Sequence, residues 1–93
     1  MMAILATYGF VPARYTADAL WWGVGSLVWG YTAEVRCVGK DLYEVKYHTW
    51  YYDSYGECVE DREETLVLHG ALMLQYLVER LPLRSWSANR RGY

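Results

Sequence analysis

Between Val28 and Tyr52 the chain reads VWGYTAEVRCVGKDLYEVKYHTWYY, and apolar and polar residues alternate along both halves of it. Side chains of an extended chain point to opposite faces in turn. Trp29, Tyr31, Ala33, Val35 and Cys37 therefore share one face of a first strand. Tyr43, Val45, Tyr47, Thr49 and Tyr51 share one face of a second. Gly39-Lys40-Asp41 separates them, with a glycine for an unusual φ and an aspartate that tolerates the left-handed region. A three-residue loop pairs Val38 with Leu42 and fixes the rest: Arg36 faces Glu44, Val35 faces Val45, Glu34 faces Lys46 and Trp50 covers Gly30. Two opposite-charge pairs, an apolar pair and an aromatic over a strand glycine arise from one alignment. A slip of one residue would put charges on the apolar face.

That apolar face needs a cover, and DREETLVLHGALMLQYLVERLP supplies a candidate. Asp61 with Glu64 three residues on has the form of a capping box, Arg80 suits the last turn and Pro82 stops the run. Leu66, Gly70, Met73, Leu74, Leu77 and Leu81 form a stripe at helical spacing, widened by Val67, Ala71 and Val78. The expectation is one long helix from Asp61 to Leu81. Upstream, AILATYGF reads as a strand with Ile4, Ala6, Tyr8 and Phe10 on one side. TADALWW reads as a short helix capped by Thr16 and stopped by Gly23. A short third hairpin strand fits Glu57 to Glu60 after the turn Asp53-Ser54-Tyr55-Gly56. The expected fold is α+β: a small three- or four-stranded, mainly antiparallel sheet, one long C-terminal helix packed on one face, and a short N-terminal helix. At 93 residues this is a single domain over 1–84, followed by a basic tail over 85–93.

The chain holds ten Tyr and five Trp against one Phe. Phe fills a core without a polar atom to satisfy, whereas Tyr and Trp suit places where one end of the ring is dry and the other wet. Good strand propensity accounts for part of the excess; a binding surface accounts for the rest. The formal charge of −2 is small but uneven. Asp53 to Glu64 holds six carboxylates with Arg62 as its one base, whereas residues 80–93 hold Arg80, Arg84, Arg90 and Arg91 and no acid.

Specific chemistry is hard to find. Cys37, His48, Cys58 and His69 lack the close pairs of structural zinc sites. In the hairpin register Cys37 and Cys58 stand roughly 27–30 Å apart along the second strand, far beyond disulfide reach. Both read as small buried hydrophobes. Cys37 and His48 are about 17 Å apart, too far for a nucleophile and its base. The acids crowd a turn and an expected helix start, and do not face each other across a cleft. GVGS lacks the lysine of a phosphate loop, and DSYGE lacks the acid spacing of a calcium loop. No enzyme, cofactor or metal site is expected. The longest uncharged run, Ala19 to Ala33, is shorter than the ~20 residues of a spanning helix and contains Gly23, Gly25 and Gly30. The N-terminus lacks the basic region of a secretory signal, and two cysteines fit a reducing cytoplasm.

The remaining expectation is a binding role. Glu44, Lys46, His48, Trp50 and Tyr52 face away from the helix and lead into Asp53, Tyr55, Glu57 and Glu60. Exposed aromatics rimmed by acids suit docking on a basic surface. Glu44, His48, Trp50, Tyr52, Asp53, Tyr55, Glu57 and Glu60 are thus the candidate partner-binding residues. The function expected is a small non-enzymatic protein-binding module, a steric inhibitor that occupies a basic, nucleic-acid-handling site of a larger protein. In size, acidity and lack of motifs the chain resembles, as a general profile, phage or mobile-element inhibitors such as anti-CRISPR proteins. Two alternatives stand beside it. Arg84, Trp86, Arg90 and Arg91 could bind nucleic acid directly through backbone charge and a stacking ring. Alternatively, the short helix, through Leu20, Trp21 and Trp22, covers the outer face, and Trp50 to Glu64 is then mostly structural or part of a homodimer seam.

Overall fold

The computed structural model describes residues 1–81 and 83. Five antiparallel strands lie in chain order, β1 (Val11–Pro12), β2 (Ala19–Gly25), β3 (Trp29–Gly39), β4 (Leu42–Tyr52) and β5 (Cys58–His69). They are flanked by helices α1 (Met2–Thr7) and α2 (Gly70–Arg80). The central hairpin has the expected register, with Arg36 opposite Glu44, Val35 opposite Val45, Glu34 opposite Lys46 and Gly30 opposite Trp50. Its turn is tighter than expected. Leu42 pairs with Gly39 instead of Val38, a bulge falls between Cys37 and Gly39, and Asp41 takes the left-handed conformation at φ 49°.

The rows of the core face follow from the registers: Leu20–Val35–Val45–Leu66 and Trp22–Ala33–Tyr47–Glu64 run across β2 to β5. Both helices pack on this face. Leu5 of α1 and Met73, Tyr76 and Leu77 of α2 join Phe10, Trp22, Ala33, Val35, Val45 and Leu81 in one buried cluster.

Three assignments from sequence are corrected. The long C-terminal helix is not there: Asp61–His69 belongs to β5, and α2 covers Gly70–Arg80. The segment carries both periods, because Leu66 and Leu68 alternate with Thr65, Val67 and His69 as readily as Leu66 lines up with Gly70 and Met73. What decides is β4, whose backbone groups on that side need partners. β5 supplies them from Leu42↔His69 to Tyr51↔Glu60, so the short strand expected over Glu57–Glu60 runs on to His69; with β1 and β2 the sheet has five strands and not three or four. His69, read as a helical residue, ends the strand, and its ring contacts the Asp41 carbonyl through Nδ1 at 3.2 Å.

The N-terminal strand and helix are exchanged. Met2–Thr7 is helical, and Met1, Leu5 and Tyr8, at helical spacing, pack on the core while Ile4 is exposed. Ala19–Gly25 is a strand in which Leu20, Trp22 and Val24 face the core. The tandem tryptophans hid that alternation. Finally, Cys37 and Cys58, expected to be buried, are both exposed and free near opposite ends of the sheet. The basic tail, 85–93, lies outside the described residues.

Under α2 one polar contact is built into the apolar layer. The Tyr76 hydroxyl donates to Glu64 Oε2 at 3.0 Å, and the Tyr76 ring meets Tyr47 edge-on with centroids 6.1 Å apart. The Arg80 guanidinium lies over the same ring at 3.9 Å. Burial first, then the bond to Glu64 and its negative charge, push the Tyr76 phenol up to about 12 from an ordinary 10.0.

Two outcomes follow. Leu77 is fully buried, so Leu77→Ala should cost about 2–5 kcal/mol in chemical denaturation. Folding favours the neutral Tyr76 phenol, so its contribution to stability is complete below pH 10 and is lost as pH rises toward about 12. Ultraviolet titration should show a late-ionising tyrosine component near 12 in the folded protein that Tyr76→Phe removes and that is absent from the unfolded chain.

Candidate functional site

The second face of the sheet carries neither helix. Its rows are Trp21–Glu34–Lys46–Thr65, Gly23–Thr32–His48–Glu63 and Gly25–Gly30–Trp50–Asp61. Two glycines shape this surface. A Cβ at Gly23 would run into the Trp21 ring, and one at Gly30 would run into the Trp50 ring. Each indole therefore lies flat against the backbone of a glycine, filling space that no side chain occupies. Trp50 is further held by its Nε1–H, which donates to the Ser26 carbonyl at 2.9 Å, and by the His48 ring with centroids 4.9 Å apart.

Between the two indoles is a trough whose floor includes Gly23 and Thr32, with a volume of about 240 Å³. A hollow of about 190 Å³ adjoins it under Trp21, lined by Glu34, Lys46, His48 and Glu63 among others. Both fall below the ~300–1,000 Å³ of enclosed small-molecule sites. They fit single side chains of a partner better than a free ligand. A larger hollow of about 490 Å³ lies on the other side of Trp21, beside Val11, Arg14 and Tyr15.

Charge on this face is lopsided. Arg36 and Glu44 form an exposed pair at 3.3 Å, worth at most about 1 kcal/mol, and Glu34 stands opposite Lys46 in register. His48 of β4 donates through Nε2–H to Asp61 Oδ1 of β5 at 2.7 Å, with Glu63 Oε1 4.0 Å away. Asp61 and Glu63 thus share one imidazole, and the β5 side of the face is acidic. Among the described residues no group of three or more His, Cys, Asp or Glu side chains is placed to hold a metal ion. No helix among them is long and apolar enough to cross a membrane.

The residues expected at the binding surface divide. Glu44, His48, Trp50 and Tyr52 lie on the open face, where the His48 ring bonds to Asp61. Asp53 is structural: its Oδ1 accepts the N–H groups of Tyr55 at 2.9 Å and Glu57 at 3.0 Å, closing the β4–β5 turn. Tyr55 is almost wholly exposed at that turn and Glu57 is exposed beside it. Glu60 pairs with Tyr51 and belongs to the opposite face. Trp21, Thr32, Glu34 and Glu63 were missed. The signal for Trp21 was its period-two relation to Gly23; the signal for Glu63 was its place in an alternating strand, read instead as a helix start. Arg84, Trp86, Arg90 and Arg91, the candidate nucleic-acid contacts, lie outside the described residues. The cover once assigned to Leu20, Trp21 and Trp22 does not exist, because they are part of β2.

No family model matches the chain, no curated protein matches it and no solved structure matches it. Its site is therefore interpreted from its own geometry.

Gly30→Ala should lift Trp50 off the sheet and break its bond to Ser26, shifting that indole N–H resonance and costing about 1–3 kcal/mol. A Cβ at Gly39 meets Leu42 only at an ordinary 3.5 Å, so Gly39→Ala should stay within about 0.5 kcal/mol. Equal effects at both glycines would mean that the indole is not seated as described.

Proposed function

We propose that the protein is a non-enzymatic binding module that docks its open sheet face on a basic surface of a larger protein. The observation that carries this reading is the pair of indoles braced on Gly23 and Gly30, with a side-chain-sized trough between them and carboxylates on the β5 side. Rigid aromatics lose little entropy on binding and dominate protein interfaces, and Trp faces attract guanidinium and ammonium groups. An arginine of the partner could lie in the trough against Trp21 or Trp50 and reach Asp61 or Glu63. Acids beside it would also speed encounter with a positive surface. Where that surface grips nucleic acid, a docked copy of this protein would exclude the nucleic acid sterically. That mode of action is the one we favour.

Affinity capture with mass spectrometry, repeated with Trp21→Ala and with Glu63→Lys, tests the proposal. The wild-type chain should retain a partner rich in Lys and Arg. Each variant, shown to be folded by circular dichroism, should lose at least tenfold in affinity for it, and raised salt should weaken the wild-type complex. Folded variants that retain the partner undiminished would rule out this face.

A further inference from the structure

β5 is the last strand of the sheet, and among the described residues its outer edge has no partner strand. The opposite edge, β1, is two residues long and ends in Pro12, whereas β5 runs for twelve. Short, proline-bearing edges are how sheets avoid unwanted pairing; a long regular edge is a template for another strand.

Two backbone bonds set the phase of that edge. The Tyr52 N–H donates to the Val28 carbonyl on the β3 side at 2.7 Å, and the Gly70 N–H donates to the Asp41 carbonyl at 3.2 Å. In an antiparallel ladder successive residues turn their N–H and C=O groups to alternate sides. Even-numbered residues of β4 therefore bond to β3 and odd-numbered ones to β5. On β5 the even-numbered residues bond back to β4, which leaves the backbone of Asp61, Glu63, Thr65 and Val67 directed away from the sheet. The register shifts of β3–β4 and β4–β5 both lie outside this span. The same four side chains stand on the open face, beside His48 and Lys46.

We propose that this edge receives an extended basic segment of the partner as a sixth, antiparallel strand. The inference rests on the basic partner proposed above and names how part of it is held. Charge selects the occupant. Antiparallel pairing with a second copy of β5, centred anywhere from Arg62 to Glu64, sets carboxylate directly against carboxylate, which is destabilising. A foreign strand with Lys or Arg opposite Glu63 and Asp61, and Val, Ile or Thr opposite Val67 and Thr65, removes that conflict. Its recognition pattern is two apolar or β-branched residues and then two basic ones, all at alternate positions. Main-chain bonds hold the strand, and the alternation sets its register.

The probe is a capped nine-residue peptide with Val at positions 2 and 4, Arg at 6 and 8, and Ser at the others, titrated into the full-length chain. Residue-resolved amide exchange should show protection gained at Asp61, Glu63, Thr65 and Val67, whose amides exchange fast in the free protein. N-methylation of the peptide at positions 4 and 6, which face β5, should weaken binding at least tenfold; N-methylation at 5 and 7 should not. Thr65→Pro removes one outward donor and leaves the β4 ladder intact, as edge prolines do, and should also weaken binding at least tenfold. If that variant does not fold, the two methylated peptides decide alone. Trp21→Ala should leave peptide affinity unchanged, so loss of the face and loss of the edge are read separately. Equal binding of both methylated peptides would overturn the proposal and leave docking through the face standing. A β5-mediated dimer that the peptide dissolves would overturn it in favour of a second copy.

Discussion

The pairing of Val35 with Val45 at the centre of the β3–β4 ribbon is the contact on which the rest of the molecule depends. Both are fully buried, and the period of two means that their alignment decides the side of every other residue on both strands. With them in register, Ala33, Tyr43 and Tyr47 go under the helices while Thr32, Glu34, Lys46, His48 and Trp50 go to the other face. A slip of one position would invert that division on all eleven residues of the strand that moved. It would bury two charged side chains, Glu34 and Arg36 of β3 or Glu44 and Lys46 of β4, at a cost comparable to the few kcal/mol that separate folded from unfolded domains.

A chain of this size has one layer of helix to spend on one face of its sheet, and the other face must be made tolerable in water by other means. Here the means are two tryptophans lying on two glycines. A strand glycine leaves backbone unprotected and costs conformational entropy. An indole laid across it restores packing, and Trp50 gains a hydrogen bond to Ser26 that a phenylalanine could not make. The excess of Trp over Phe therefore has a structural cause on this face. The same seating fixes the two rings and leaves them partly exposed on the open face.

The central hairpin was legible because its period is short, its charges are complementary and its turn residues are distinctive. The open face was legible as far as that hairpin reached: Glu44, His48, Trp50 and Tyr52 were placed correctly. What failed was the segment where two periods coincide. Leu66 fits a strand with Leu68 and a helix with Gly70 and Met73, and only the unmet hydrogen bonds of β4, a non-local demand, choose the strand as far as His69. β2 failed for a related reason, since Trp21 and Trp22 are both large and apolar and conceal which one faces in. Glu60 was assigned to the wrong face because the bulge between Tyr51 and Tyr52 and the long turn before it could not be counted from local pattern.

Size relates the open face to the edge beside it. Five strands at a spacing of about 4.8 Å, over the seven or so residues that β2 shares with its neighbours, present a flat area of roughly 19 by 23 Å, or about 440 Å². A stable protein–protein interface takes about 800 Å² from each partner. The face alone falls short of that area. An added strand along Asp61–Val67 would widen the contact, satisfy the outward backbone groups of β5 and place the partner's side chains beside His48 and Lys46 on the same surface. On the proposed reading, aromatic trough, acidic strand and unpaired edge would act as one continuous contact. Its acids would suit a basic partner better than a second copy paired through Arg62 to Glu64.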